Sequence, residues 1–215
     1  LPLSYCQTHD ITVLPLAFTI EGQTYHGSGA MDDKVFYDKL RAGALPTTSA
    51  ANPEDTAALF RTFAEQGKDL LHVAFSSGLS STSDAAQIAA QMVMEEYPQR
   101  KIIVVDSLCA SMGQGFLVHQ AVKLRDAGET LEDTARKVTD LRLNVVHNFT
   151  VDDLGHLHRG GRVSKATAVV GSLMGIKPIL HVDDEGHLTS VGKVRGRKAS
   201  IQALADRMEE QMKGF

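Results

Sequence analysis

The sequence has little cysteine, no block of like charge and no long apolar run, and each shortage removes a class of protein. Cys6 and Cys109 are its only cysteines, so a disulfide framework is excluded and a reducing, cytoplasmic compartment is expected. Lys and Arg number 22 against 26 Asp and Glu, a net charge of -4, with no basic cluster standing out. Nucleic acid is therefore excluded as a main partner, because neutralising phosphates takes clustered cations. The longest apolar stretches, such as residues 13–18 and 102–105, fall far short of the ~20 residues that span a bilayer as a helix. No basic-then-apolar signal segment opens the chain, and no internal repeat or low-complexity segment interrupts it. Transient membrane contact is the most that is expected.

Several chemical signatures are missing as well. The G-x-S-x-G elbow of serine hydrolases does not occur, since Ser77-Gly78-Leu79-Ser80 lacks the second glycine. Gly113-Gln114-Gly115 and Gly160-Gly161-Arg162 complete neither a Walker nor a dinucleotide fingerprint. His156 and His158, with Asp152 and Asp153 nearby, stand at i and i+2. On a helix that spacing points them to different faces, so no metal is expected.

What is present describes a folded α/β protein. The 215 residues are 43% apolar and 22% charged, ordinary values for a chain that buries a core. Strand-like runs at 11–20, 70–75 and 102–105 alternate with helical patterns at 33–42, 52–67, 84–97, 110–127 and 130–141. Pro15 interrupts the first strand, and Glu21-Gly22 turns after it. Val35, Phe36 and Leu40 share one face of the first helix, which Gly43 closes; Leu59, Phe60 and Phe63 mark the buried face of the second. Asn52-Pro53 is a helix start, and Thr130 with Asp133 resembles a capping box. Alternation of this kind implies a mostly parallel sheet with flanking helices.

After His147 the pattern changes. A strand at 149–151, a short helix at 152–158 ended by Gly160-Gly161, a helix from Ser164 to Met174, a hairpin of 179–182 with 188–194, and a last helix at 199–212 are expected. The reading is two lobes: a first α/β lobe at 1–148 and part of a second, apparently incomplete, at 149–215.

In a parallel α/β sheet, ligands sit where strands run into helices. Three such loops are rich in hydroxyls: Pro46-Thr47-Thr48-Ser49, the stretch Ser76-Ser77-Gly78-Leu79-Ser80-Ser81-Thr82-Ser83, and Asp106-Ser107. Hydroxyls and N–H groups at a helix start cradle an anion. Without a fixed cation they suit a carboxylate or one phosphate better than a triphosphate. Capping and turn formation is the alternative use of the same residues. Ile88, Met92, Val93 and Met94, with Leu173 and Met174, are adaptable apolar side chains that suit a flexible ligand or an ordinary core.

In order along the chain, these segments resemble the DegV family of bacterial fatty-acid-binding proteins. The resemblance is carried by Pro46-Thr47-Thr48-Ser49, Ser76-Ser77-Gly78-Leu79-Ser80-Ser81-Thr82, Val105-Asp106-Ser107 and Gly113-Gln114-Gly115. It continues in residues 154–164, Gly175-Ile176-Lys177-Pro178-Ile179-Leu180 and Gly192-Lys193-Val194-Arg195-Gly196-Arg197-Lys198. The resemblance implies a two-domain α/β protein that encloses a long-chain fatty acid in an apolar tunnel. Thr48 and Ser80 would hold the carboxylate. A separate ATP-binding fatty acid kinase subunit would turn the acid into an acyl phosphate for phospholipid synthesis. The protein itself would be no enzyme and bind no cofactor, with Arg162 and Arg195 meeting the kinase or its phosphate. Against the family, an opening strand and a later stretch bearing a histidine of the carboxylate network are absent, and no residue of this sequence can be assigned that histidine's role. A serine-nucleophile hydrolase or transferase and a small phosphometabolite-binding α/β module are the alternatives.

Overall fold

A computed structural model describes residues 1–27, 29–164 and 175–213. The chain opens with α1 (Leu3–Thr8), then β1 (Ala17–Ile20), β2 (Gln23–His26), α2 (Asp33–Arg41) and β3 (Thr47–Ser49). Glu21 and Gly22 both have positive φ, 51° and 79°, the backbone of a two-residue hairpin turn. That turn makes β1 and β2 antiparallel, and β3 adds antiparallel on the other side of β1.

The central layer follows: α3 (Pro53–Ala64), β4 (Leu70–Ala74), α4 (Thr82–Glu96), β5 (Ile102–Asp106), α5 (Ser111–Asp126) and α6 (Leu131–Leu141). The parallel pairing implied by the alternation is that of β4 with β5, from Leu70 opposite Ile102 to Ala74 opposite Asp106. Each strand is covered on both faces, as parallel strands generally are. Leu70, Ile102 and Val104 join a core of small residues from α3 and α4: Ala57, Ala64, Ala86, Ala89 and Ala90, with Phe60 and Val93. Leu71, Val73, Ile103 and Val105 turn the other way, onto Leu117, Ala135 and Val138 of α5 and α6. The two-residue alternation of a strand sorts these side chains. Both caps read from sequence form: the Asn52 side chain accepts the Glu54 N–H at 2.8 Å, and Thr130 Oγ1 accepts the Asp133 N–H at 3.1 Å.

Beyond a 3-10 turn at Arg142–Asn144 come β6 (Asn148–Phe149), α7 (Gly155–Arg159), β7 (Ile176–Val182), β8 (Leu188–Arg195) and α8 (Arg197–Met212). The last three strands form an antiparallel sheet in the order β6-β7-β8. Asn148 fastens α8 to it, donating from Nδ2 to Gln211 Oε1 at 2.7 Å and accepting from Arg207 Nε at 2.8 Å.

Some expectations change. Residues 11–16 are not strand, because Asp10 turns with φ 50° and Pro15 donates no ladder bond. Val35, on the apolar face of α2, is 46% exposed. The helix α1 carries no periodic apolar signal in six residues and is an addition. The helix expected from Ser164 to Met174 falls mostly on residues outside those described, as do Leu173 and Met174.

Candidate functional site

The hydroxyl-rich loops lie at the carboxyl ends of β4 and β5, and they are laced together. Ser107 N–H donates to Ala74 O at 3.2 Å, and Ser76 N–H to Cys109 O at 3.0 Å. Asp106 Oδ1 accepts from the N–H of Ser77 at 3.2 Å and of Leu108 at 3.1 Å. The N–H groups of Leu79 and Ser80 both return to Ser76 O at 3.1 Å, which folds residues 76–80 into one tight turn.

Ser76 is fully buried, and its hydroxyl donates to Gly186 O, in the turn between β7 and β8, at 2.8 Å. Two glycines permit that contact. A Cβ on Gly78 would fall 2.7 Å from Glu185 O, and one on Gly186 would fall 2.1 Å from Ser76 Oγ. The β7–β8 turn thus plugs into the hydroxyl turn, backbone against backbone.

Ser80 is half-buried, and its Oγ lies 2.9 Å from Thr82 Oγ1. Thr82 Oγ1 also accepts the Ala51 N–H at 3.2 Å. Ala51 lies two residues beyond the Pro46–Ser49 segment, so this bond ties the chain just after that segment to the Ser80 loop. Thr48 itself stands on β3, exposed and directly opposite Phe18. Directly paired residues share a sheet face. Phe18 stacks on Tyr25 with centroids 5.2 Å apart and meets Phe36 of α2 edge-on at 5.2 Å. The Thr48 hydroxyl therefore borders an aromatic surface.

The two arginines separate. Arg162 Nε donates to Leu79 O at 2.9 Å, and its Nη1 bonds Gly160 O, so Arg162 grips the hydroxyl turn from outside. A cleft of about 500 Å³ runs between Arg162, Val163 and Ser164 on one wall and His187, Thr189 and Ser190 on the other. Among the described residues, none hydrogen-bonds the buried Thr189 Oγ1 there. Arg195 is exposed on β8, opposite Ile176, and among the described residues no hydrogen bond or ion pair joins it to the hydroxyl turn.

Nucleophilic chemistry finds little support. Among the described residues no histidine hydrogen-bonds a serine of these loops. Burial, then the neighbouring Asp106 charge, pushes the Cys109 thiol up to about 11, which keeps it protonated. Burial lowers His72, on β4 against Phe60, to about 4, so it is neutral and structural. His156 and His158 lie on the helix α7, where their spacing turns them apart. Asp183, Glu185 and His187 each bring a ligand atom within 4.8 Å of the others. Asp183 Oδ1 there already accepts the N–H groups of Glu185 at 3.2 Å and His187 at 2.8 Å, the bonding of a tight turn. Met92 and Met94 pack against the core of α3 and α4, while Ile88 is 52% exposed.

Thr82, Ser76 and Asp106 are the site residues that sequence reasoning left without individual roles. Glycines at 78 and 186 were the available signal of a close backbone contact.

A family model describing uncharacterised proteins of the DegV family matches residues 1–215. The DegV domain-containing protein YteA of Lactococcus lactis is 44% identical over 210 residues, 97% of this chain and 73% of that protein. A stearic-acid-binding protein from Eubacterium ventriosum superposes with a TM-score of 0.92 at 26% identity, over 100% of this chain and 74% of its own. The Streptococcus pneumoniae fatty acid kinase B3 protein, solved with linoleic acid, superposes with a TM-score of 0.82 at 26% identity, over 92% of this chain and 69% of its own.

Proposed function

Because the chain belongs to the DegV family, we propose that it binds a long-chain fatty acid and presents the carboxylate to an ATP-binding kinase subunit. Thr48 and Ser80 donate hydroxyl hydrogen bonds to the carboxylate, a charged acceptor that strengthens each bond. The division into lobes at about residue 148 belongs to the same proposal. The single observation that carries it is the hydrogen-bond chain from Ser80 through Thr82 to the Ala51 N–H, three residues after Thr48, in a fold shared with fatty-acid-binding proteins. A fatty carboxylate leaving water requires such paired donors, because an unmatched charge in apolar surroundings is costly. Arg162, beside the Ser80 turn, and Arg195, exposed on β8, are the proposed contacts for the kinase or the phosphate it transfers.

Native mass spectrometry of the purified protein tests the ligand. A co-purifying mass of a long-chain fatty acid supports the proposal, and a protein that neither carries nor takes up such an acid overturns it. With the kinase added, Arg195→Ala should lose acyl-phosphate formation while still binding the acid, and Arg162→Ala, which also frees Leu79 O of the Ser80 turn, should lose it even at saturating acid. Unchanged transfer removes both residues from that role. Labelling of one serine by a fluorophosphonate would favour a hydrolase instead.

A further inference from the structure

The loops after β4 and β5 leave their strands at the same rung, Ala74 opposite Asp106, and the Asp106 side chain spans the gap between them. Its two donors, Ser77 N–H and Leu108 N–H, converge on the same oxygen, Oδ1. Among the described residues no hydrogen bond reaches Oδ2. The backbone of Asp106 is fixed in turn, because Arg142 Nη1 donates to its carbonyl at 2.9 Å. Leu108 takes a left-handed φ of 51° to bring its N–H onto the carboxylate. Such a backbone persists in a residue with a Cβ only where its surroundings over-determine it.

We infer that Asp106 is a positioning residue for the Ser80 hydroxyl, acting through the Ser77 N–H. The inference rests on the carboxylate-binding role proposed for Ser80. The turn at 76–80 closes on Ser76 O, so it moves as a unit. Asp106 is the tether that stops this unit from pivoting about Ser76 on the β5 side. A turn fixed before the ligand arrives spares binding the cost of ordering it. What Asp106 supplies is an acceptor at a fixed point. Its charge is incidental, and a second anion close by is disfavoured by like charge in any case.

Palmitate titration into lipid-free protein, for the native chain and the variants D106N, D106E and D106A, tests this, with amide hydrogen exchange of residues 76–80 followed in parallel. Loss of the acceptor that tethers the turn predicts about a 10-fold weaker palmitate affinity in D106A. D106N keeps an oxygen in place and should stay within about 3-fold of the native chain. Native affinity in D106A, or an equal loss in D106N and D106A, overturns the inference. Should D106A fail to fold, the other pair decides: D106E keeps the charge but displaces the oxygen, so it should bind more weakly than D106N. The reverse order overturns the inference. Should the native chain take up no palmitate, the fatty-acid reading falls, and exchange alone judges Asp106. Faster exchange at Ser77 in D106E but not in D106N supports the tether, and equal exchange in both overturns it.

Discussion

The two segments proposed to hold the carboxylate are built in opposite ways. The Ser80 turn is held from four directions: by Asp106, by the Gly186 carbonyl, by Arg162 and by Thr82. Thr48 stands on a three-residue strand, exposed throughout, whose ladder bonds among the described residues run to β1 alone. Two hydroxyls of the same chemistry thus differ in how firmly the chain holds them. The Ser80 turn has the build of a fixed reference point for the ligand head group. The small sheet has few buried contacts, the mark of a region that opens at low free-energy cost.

Two glycines with nearly the same backbone isolate that difference. Gly186 has φ +80° and Gly22 has φ +79°, but only Gly186 has neighbours, Ser76 Oγ and Leu108. Gly186→Ala should destabilise by about 3 kcal/mol or more, the range of a severe packing and backbone defect. Gly22→Ala should cost only the left-handed penalty of about 1–2 kcal/mol. Urea unfolding midpoints compare the two, and equal losses would erase the distinction.

Acid should strike the rigid half through His72, which lies in β4 beneath the hydroxyl turn. The unfolded chain takes up a proton near pH 6.5 that the folded one refuses until about 4. Protonation therefore favours unfolding, and stability declines as pH falls across that window, by up to about 3 kcal/mol. His72→Phe should flatten this part of the pH–stability curve; an unchanged slope would mean that other groups set it.

Smaller changes separate the segments further. Ser76→Ala leaves Gly186 O and Gly78 N–H without their buried partner and should cost about 1–3 kcal/mol. Thr48→Ala, at an exposed position, should move stability by no more than about 0.5 kcal/mol. Its fatty-acid affinity should nonetheless fall by about 1–3 kcal/mol, the worth of one hydrogen bond to a charged group. Calorimetry of the two variants with and without fatty acid makes the comparison. A large stability loss in Thr48→Ala would place that residue in the fold and not in the site.

Local chemistry made most of the fold legible in the sequence. Asn52 and Thr130 cap the helices they announce, and the runs at 70–75 and 102–105 form the parallel pair. Both are signals within a few residues of each other. The joints of the candidate site are of another kind. Ser76 meets Gly186 across 110 positions, and Arg162 meets Leu79 across 83. A Cβ on Gly113 would fall 1.9 Å from His147 Nε2, and no local pattern names that histidine. The sequence marks such places only by a glycine or a small hydroxyl. It shows that something approaches without showing what.

The shared rung at Ala74 and Asp106 bears on where this chain tolerates a change of length. A residue inserted between Ala74 and Ser76, or between Asp106 and Cys109, would displace the loop beyond it from the contacts that fix it. Ser76 would leave Gly186, and Ser77 would leave its acceptor. The opposite end of the same layer carries exposed turns at 66–68 and 127–128, and exposed turns are where added length is best tolerated. Added length is thus expected to cost least at one end of the β4–β5 layer and most at the other, where the spacing of the hydroxyls is fixed by their partners.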